Sequence, residues 1–361
     1  MMRIGIIGCG KIADAHAEQI QKIPHAEIVA VCDKEELMAK QLYERHHVGN
    51  YYSDVKQMLK TAQPEVVHIT TPPQSHFELA KLCIDSGCHV YMEKPFTVTT
   101  EEATQLIDYA SVKNVKMTVG HDYQFTHAKR RMRKLINEGY LGGPPVHMES
   151  YHCYELGSES YAKALLGDKK HWVRMLPGTL MHNNISHGIS SIAEYLTEEN
   201  PKVIAYGFSS PFLRGMNETD ITDEARVIIS EKDSTSAYFT FSTQMRPTLH
   251  QFRVYGHKNA LIVDHDQQTC IKVNGEKYIS YLEKFVAPVI IAKQYVISSL
   301  YNMSLFLKND FHMKAGMKCL IESFYRSIEE NAPLPISYKE ILTTSRIMDS
   351  IFTQINPSHH K

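Results

Sequence analysis

The chain has 361 residues, 43% hydrophobic and 22% charged, which is ordinary globular usage and long enough for two domains. Lys plus Arg number 39 against 40 for Asp plus Glu, a net charge of −1, so charge alone points to neither nucleic acid nor an acidic lipid surface. The seven cysteines are odd in number and form no C-x-x-C pair, and Cys9, Cys32 and Cys83 sit in apolar segments where a reduced thiol acts as a small hydrophobe. The opening MMRIGIIGCG enters a strand pattern without the regions of a signal peptide, so we expect a reducing, cytoplasmic setting.

From Arg3 to Gly120 strand and helix patterns alternate. Apolar runs recur at Ile4–Ile7, Ile28–Cys32, Val66–Thr70, Val90–Met92 and Val115–Val119, and helical spacing fills Ala13–Ile23, Lys34–Arg45, Phe77–Ser86 and Glu101–Lys113. Continuous rather than alternating apolar runs suit strands buried on both faces, so a doubly wound α/β domain with a mostly parallel sheet is predicted over 1–122. After the turn cluster Gly139–Pro145 the texture changes. Strand-like segments at Val146–Tyr154, Val203–Ser209, Ala225–Ile229, Ser236–Ser242, Gln251–Tyr255 and Leu261–Asp264, joined by turns, predict a large, mostly antiparallel open sheet. Helical patterns at Ala315–Glu330 and Lys339–Thr353 close this α+β domain, placed at 123–361.

Two motifs carry chemistry. Gly8-Cys9-Gly10-Lys11-Ile12-Ala13 follows the first strand and opens the first helix, a G-x-G-x-x-A loop whose backbone can approach a pyrophosphate. Asp33, 20 residues past Ala13 at the end of the second strand, suits an adenosine ribose and repels a 2′-phosphate, which favours NAD; neighbouring Lys34 keeps NADP open. The second motif is Val90-Tyr91-Met92-Glu93-Lys94-Pro95-Phe96, a buried strand that ends in a carboxylate, an ammonium and a proline. Solvated charges at a strand end are the commoner fate of such a triplet. A lysine leaving a central strand near the nicotinamide can instead donate to an oxygen on the carbon that exchanges hydride.

Taken in order, these segments resemble the Gfo/Idh/MocA group of glucose–fructose oxidoreductases and inositol dehydrogenases. The resemblance is carried by the Gly8–Ala13 loop, by Thr71-Pro72-Pro73-Gln74-Ser75-His76, by Glu93-Lys94-Pro95 and by the turn at Leu141-Gly142. It continues through Pro177-Gly178-Thr179-Leu180-Met181-His182-Asn183-Asn184-Ile185-Ser186-His187 and Pro333-Leu334-Pro335-Ile336-Ser337. It implies that Gly8, Gly10, Lys11, Ile12, Asp33, Thr71, Pro72, His76, Glu93 and Lys94 face the dinucleotide. It further implies that Lys94 is the catalytic lysine, with a cis bond to Pro95, and that His187 contacts the reacting hydroxyl and takes its proton. The family often has an aspartate where this chain has Asn183, which can orient by hydrogen bonds but cannot accept a proton. His182 reads as a wall residue rather than the base, and no metal site is expected. Homo-oligomers, dimer or tetramer, through the open sheet follow from the same resemblance.

Substrate contacts are expected from Tyr123, Tyr151, His152, Tyr154, Trp172, Arg174 and His187, a set that suits a sugar, sugar nucleotide or cyclitol. Trp172 reads equally as a core anchor, and Arg174 is the one candidate for a carboxylate grip. The competing reading is a non-catalytic NAD-binding regulator of the same fold; retention of Lys94 and His187 favours the enzyme. Finally, Phe285–Leu307 carries one charge, Lys293. A helix beginning after Pro288 would align Val289, Ala292, Val296, Leu300, Met303 and Leu307 on one stripe. Burial against the second domain or a subunit is the favoured reading, and a surface resting on a membrane is the alternative.

Overall fold

The computed structural model describes residues 1–156, 166–232, 234–275, 280–311 and 314–355. The chain divides into two compact units, Met1–Asp122 with Gly316–Ser345, and Tyr123–Ala315 with Arg346–Lys361. The segment 316–345 therefore groups with the first unit, where a single cut after residue 122 had been expected. Local bonds explain the grouping: the Tyr325 hydroxyl meets His68 Nε2 at 2.7 Å, and Lys116 Nζ donates to the carbonyls of Ser327 and Ala332.

Six parallel strands form the first sheet, β1 (Met2–Ile7), β2 (Ala26–Cys32), β3 (Tyr51–Tyr52), β4 (Val66–Ile69), β5 (His89–Met92) and β6 (Met117–Val119), in the order β3-β2-β1-β4-β5-β6. This is the strand order of a dinucleotide-binding fold, with its switch point between β1 and β4. The four residues of β4 and the three of β6 are all buried, which is why these strands read as unbroken apolar runs. A helix at Val55–Ala62, capped by the Asp54 carboxylate on the Gln57 N–H, lacks a long enough periodic run to stand out in the sequence.

The second unit holds a seven-stranded sheet, β7 (His147–Cys153), β8 (Lys202–Phe208), β9 (Glu224–Ser230), β10 (Ser236–Ser242), β11 (His250–Tyr255), β12 (Asn259–Asp264) and β13 (Thr269–Asn274). Its order is β13-β12-β11-β7-β10-β9-β8, antiparallel except for the β7–β10 pair. Alternation governs these strands: Met148, Ser150 and His152 of β7 are buried while Glu149 and Tyr151 are half-exposed. The inner face packs Met148, Val227, Phe239 and Phe252 against Met181 and Ile189 of the helices Thr179–Asn184 and Ser186–Ala193, against Ile185 between them, and against Phe352. The helices Thr179–Asn184 and Ser186–Ala193 stand where turns alone were expected between strands, and a helix at His127–Asn137 precedes the Gly139–Pro145 turn cluster.

The Ser280–Leu307 segment is one 28-residue helix, and Pro288 lies inside it rather than at its start. On the single chain the stripe is exposed, with Val296 at 61% and Leu300 at 59%, so the second unit itself does not bury it. Among the described residues, no helix is long and apolar enough to cross a membrane.

Candidate active site

Three neighbouring strands of the first unit, β1, β4 and β5, deliver the motif residues at their carboxyl ends. After β1, Gly8 turns at φ +91°, and a Cβ there would lie 2.6 Å from Thr71 Cγ2 and 2.9 Å from the Thr71 nitrogen. Only glycine lets the loop cross this close to the end of β4. Gly10 differs: its φ is −76° and a Cβ would meet nothing within 4 Å, so its bareness leaves open space at the start of the Lys11–Ile20 helix. That N-terminus has no side-chain cap. Uncapped N–H groups facing open space fit a pyrophosphate, as a helix N-terminus attracts anions. Lys11 is exposed and Ile12 half-buried at the same end.

Asp33 is half-buried and doubly anchored, accepting the Cys9 N–H at 2.7 Å and the Glu35 N–H at 3.0 Å. Its carboxylate therefore shapes the glycine loop and keeps lone pairs for a ribose hydroxyl. On the β4 side, the Thr70 hydroxyl donates to the Gly8 carbonyl at 2.6 Å, and the Ser75 hydroxyl donates to Thr71 Oγ1 at 2.7 Å. Pro72 is exposed. His76 is fully buried, with Nε2 2.9 Å from the Thr71 carbonyl and Nδ1 3.1 Å from that of Pro95. Burial favours the neutral ring, whose single N–H donates to one of these carbonyls, so His76 packs as a staple between the loops after β4 and β5.

The question raised by Glu93-Lys94-Pro95 has a structural answer. The Lys94–Pro95 peptide is cis, as the resemblance implies. Glu93 is buried, and its Oε2 accepts the Lys94 N–H at 3.0 Å while Oε1 meets His16 Nε2 at 2.8 Å. A Cβ on Gly120 would lie 2.9 Å from Glu93 Oε1, so glycine at that position makes room for the carboxylate. Burial raises the Glu93 pKa, but the bond and charge of His16 and the charge of Lys94 outweigh it and hold the group below its usual value. Behind it, His16 Nδ1 lies 2.8 Å from His68 Nδ1, and Tyr91 stacks on His68 at 4.6 Å. A carboxylate can only accept, so His16 Nε2–H donates to Glu93, and the imidazole tautomers set the direction of the bonds on to His68 and the Tyr325 hydroxyl. Glu93 thus fixes the backbone from which Lys94 departs, a positioning role that the bare triplet does not disclose. His121, buried beside Glu93 and Lys94, is pushed down to about 3 by burial.

In the second unit the candidates separate into two groups. Tyr123 lies between two imidazoles, stacked on His187 at 4.5 Å and on His265 at 5.0 Å. His152 joins them, 5.8 Å from Tyr123 and 4.8 Å from His250, whose Nδ1 meets Asp266 at 2.9 Å. Gly188 seats the helix carrying His187 on the sheet: the Ser150 hydroxyl donates to its carbonyl at 3.0 Å, and a Cβ would strike Phe239. Burial and Lys129 push His265 down to about 3, so it is neutral at neutral pH. His250 and His265 escaped the sequence reading because nothing in their spacing links them to residues 123, 152 and 187. Tyr151 points to the other face of β7, where its hydroxyl donates to Glu149 Oε2 at 3.1 Å, so it does not join His152.

Trp172 and Arg174 lie elsewhere. Trp172 packs with Leu156, Val173, Leu180, Leu213 and Ile221, the core-anchor alternative. The buried Arg174 guanidinium pairs with Glu218 at 3.1 Å and Asp220 at 3.3 Å, which supply the carboxylates a substrate would have to displace. His182 is buried and stacked on Phe352 at 4.7 Å, inside the core. Tyr154 packs at the edge of the same core, and Asn183 is half-buried one turn before His187. Among the described residues, no group of three or more His, Cys, Asp or Glu is placed to hold a metal ion.

Residues 2–121 match the model of an oxidoreductase family with an NAD-binding Rossmann fold. The chain is 31% identical over 142 residues to D-glucoside 3-dehydrogenase of Escherichia coli K12, a match covering 39% of this chain and 40% of that protein. Myo-inositol 2-dehydrogenase of Thermotoga maritima is 23% identical over 312 residues, 85% of this chain and 88% of the relative. The WlbA dehydrogenase of Bordetella pertussis, solved with NADH and UDP-GlcNAcA, superposes with a TM-score of 0.77 at 15% identity over 99% of this chain and 96% of that one. UDP-N-acetylglucosamine 3-dehydrogenase GnnA of Acidithiobacillus ferrooxidans gives 0.73 at 19% identity over 99% of both chains. Identities that low speak for the fold alone, whereas the family match over residues 2–121 and the sequence relatives agree with the resemblance to the Gfo/Idh/MocA oxidoreductases.

Proposed function

We propose that this protein is an NAD-dependent dehydrogenase or reductase acting on a secondary alcohol or ketone of a sugar, sugar nucleotide or cyclitol. The observation that carries the reading is the Glu93–His16 clamp on the Lys94 N–H, because a buried carboxylate spent on holding one lysine's backbone suits a lysine with a defined target. The uncapped helix behind Gly10 and the anchored Asp33 fit a dinucleotide, and the nicotinamide, when bound, supplies the hydride acceptor or donor. An adenosine ribose against Asp33 favours NAD over NADP.

In this reading Lys94 donates a hydrogen bond to the reacting oxygen and neutralises charge that develops on it. The His187 imidazole takes the hydroxyl proton in the oxidative direction and returns it in the reductive one, a task suited to a side chain that can both accept and donate a proton. Its stacking on Tyr123 holds the ring plane. Asn183 orients the substrate through its amide and moves no proton. Incubating the purified protein with NAD or NADP and a panel of glucosides, inositols and UDP-sugars, while following reduced-nicotinamide absorbance, tests the reading. Turnover of at least one secondary alcohol is expected. Tight NAD binding with no turnover across the panel would favour the regulatory alternative.

A further inference from the structure

The Ser280–Leu307 helix is mounted inside out. Its polar side faces the protein: Gln294 accepts the Lys272 N–H at 2.8 Å and donates to the Lys272 carbonyl at 2.9 Å, closing the free edge of β13 as another strand would. Ser298 is buried, and Asn302 donates to the Gln267 carbonyl at 3.0 Å. Residues 294, 298 and 302 are spaced by four and share one side. The opposite side, with Phe285, Val289, Val296, Leu300, Met303 and Leu307, is 55% to 79% exposed. Twelve of the 24 exposed large apolar side chains among the described residues lie on this helix, a concentration that marks a docking surface.

Charge identifies the partner. Lys284, Lys293 and Lys308 are exposed on or beside the helix, whose one acidic residue is Glu283. Alongside it, His127, Arg130, Arg131 and Lys134 of the His127–Asn137 helix line a cleft of about 490 Å³ with Ile297 and Tyr301. Two carboxylates offset part of this charge, Asp310 at 3.6 Å from His127 and Glu138 at 3.8 Å from Lys134. The rim stays cationic. A second copy of the chain seated here would bring two such rims together, whereas an anionic leaflet meets both the apolar face and the rim.

We propose that this helix and the basic side of the His127–Asn137 helix form a surface that docks on an anionic bilayer. The apolar face lies at the boundary of headgroups and acyl chains, and lipid phosphates reach Arg130, Arg131 and Lys134. The chain lies on the membrane without spanning it, and the docking is independent of the reaction proposed above.

Flotation with vesicles of phosphatidylcholine alone, and of phosphatidylcholine mixed with phosphatidylglycerol, tests the proposal. Wild type should float with the anionic vesicles at least about tenfold more strongly than with neutral ones, and less at high salt. Arg130→Gln with Arg131→Gln should lower anionic binding roughly tenfold, at about a factor of three to five for each lost charge. Val296→Glu with Leu300→Glu should abolish it. Circular dichroism and NAD titration on each variant check the fold, and should the glutamate pair fail to fold, the surface arginine pair decides. Wild type that does not float with anionic vesicles overturns the proposal, as does binding unchanged by the arginine pair. So does an oligomer that Val296→Glu dissociates while no vesicle binding is seen, which would assign the face to a second copy.

Discussion

The two units hold their candidate groups by different means. In the first, backbone does the holding: Asp33 grips two N–H groups, His76 lies between carbonyls, and Glu93 grips the Lys94 N–H. In the second, rings hold rings, with Tyr123 between His187 and His265 and His152 against His250. Backbone-held groups come from short, local motifs and resist substitution for steric reasons. Ring-held groups come from distant positions, 123, 152, 187, 250 and 265, and their chemistry can vary while the sheet beneath stays the same. The difference suits a cofactor that is constant and a substrate that is not.

The largest effect that sharpens this contrast is expected at His187. His187→Asn should lower turnover on the order of 10²- to 10⁴-fold, the usual contribution of a general base, with NAD affinity unchanged. Steady-state kinetics beside a fluorescence titration with NADH would show it. Retained turnover with weakened NAD binding would move His187 into the cofactor half.

Next is Asp33→Ala, which removes the proposed ribose partner together with the anchor of the glycine loop. Loss of hydrogen bonds to a charged group, about 1.5–3 kcal/mol, should weaken NAD by roughly 10- to 100-fold. NADP should weaken less. Equal loss for the two, read by titration, would reduce Asp33 to a loop anchor.

The paired glycines give a smaller and internally controlled effect. Gly8→Ala places a Cβ 2.6 Å from Thr71 at φ +91° and should cost roughly 1–3 kcal/mol of stability. Gly10→Ala meets open space, so it should leave stability nearly unchanged and weaken NAD alone. Denaturant melts of the two variants, with and without NAD, separate shape from binding.

What could be read from the sequence follows the same division. The first sheet, the glycine loop and the Lys94 exit were legible because each lies within a short window whose backbone demands are specific. Open-sheet strands such as Ser236–Ser242 were legible through alternation. Tyr151 and His152 show the limit: adjacent in sequence, they fall on opposite faces, and only the register of β7 decides which one meets Tyr123. The Glu93–His16–His68–Tyr325 chain was invisible, since it joins residues up to 309 positions apart through packing alone. Which side of the Ser280–Leu307 helix faces its own chain was not legible, because apolar residues usually take that side, while here Gln294 and Asn302 do so to satisfy the edge of β13 and a loop carbonyl.

A further effect, confined to acid pH, is on stability. His121 stays neutral in the folded chain, with its pKa held at about 3 by burial, while the unfolded chain protonates it near 6.5. The unfolded state then binds more protons, so stability falls as pH drops from about 6.5 toward 3, at up to about 1.4 kcal/mol per pH unit for this group. His121→Gln should flatten that slope in denaturant melts between pH 6.5 and 4, and an unchanged slope would place the sensitivity elsewhere.

Lys94→Ala offers the most direct test that the clamped turn after β5 serves catalysis. The substitution leaves the Lys94 backbone and its bond to Glu93 in place and removes only the ammonium. With a substrate found active for wild type, and with equal NAD binding verified, turnover should fall on the order of 10²- to 10⁴-fold. Turnover equal to wild type would contradict the account and return Glu93-Lys94-Pro95 to an ordinary strand end.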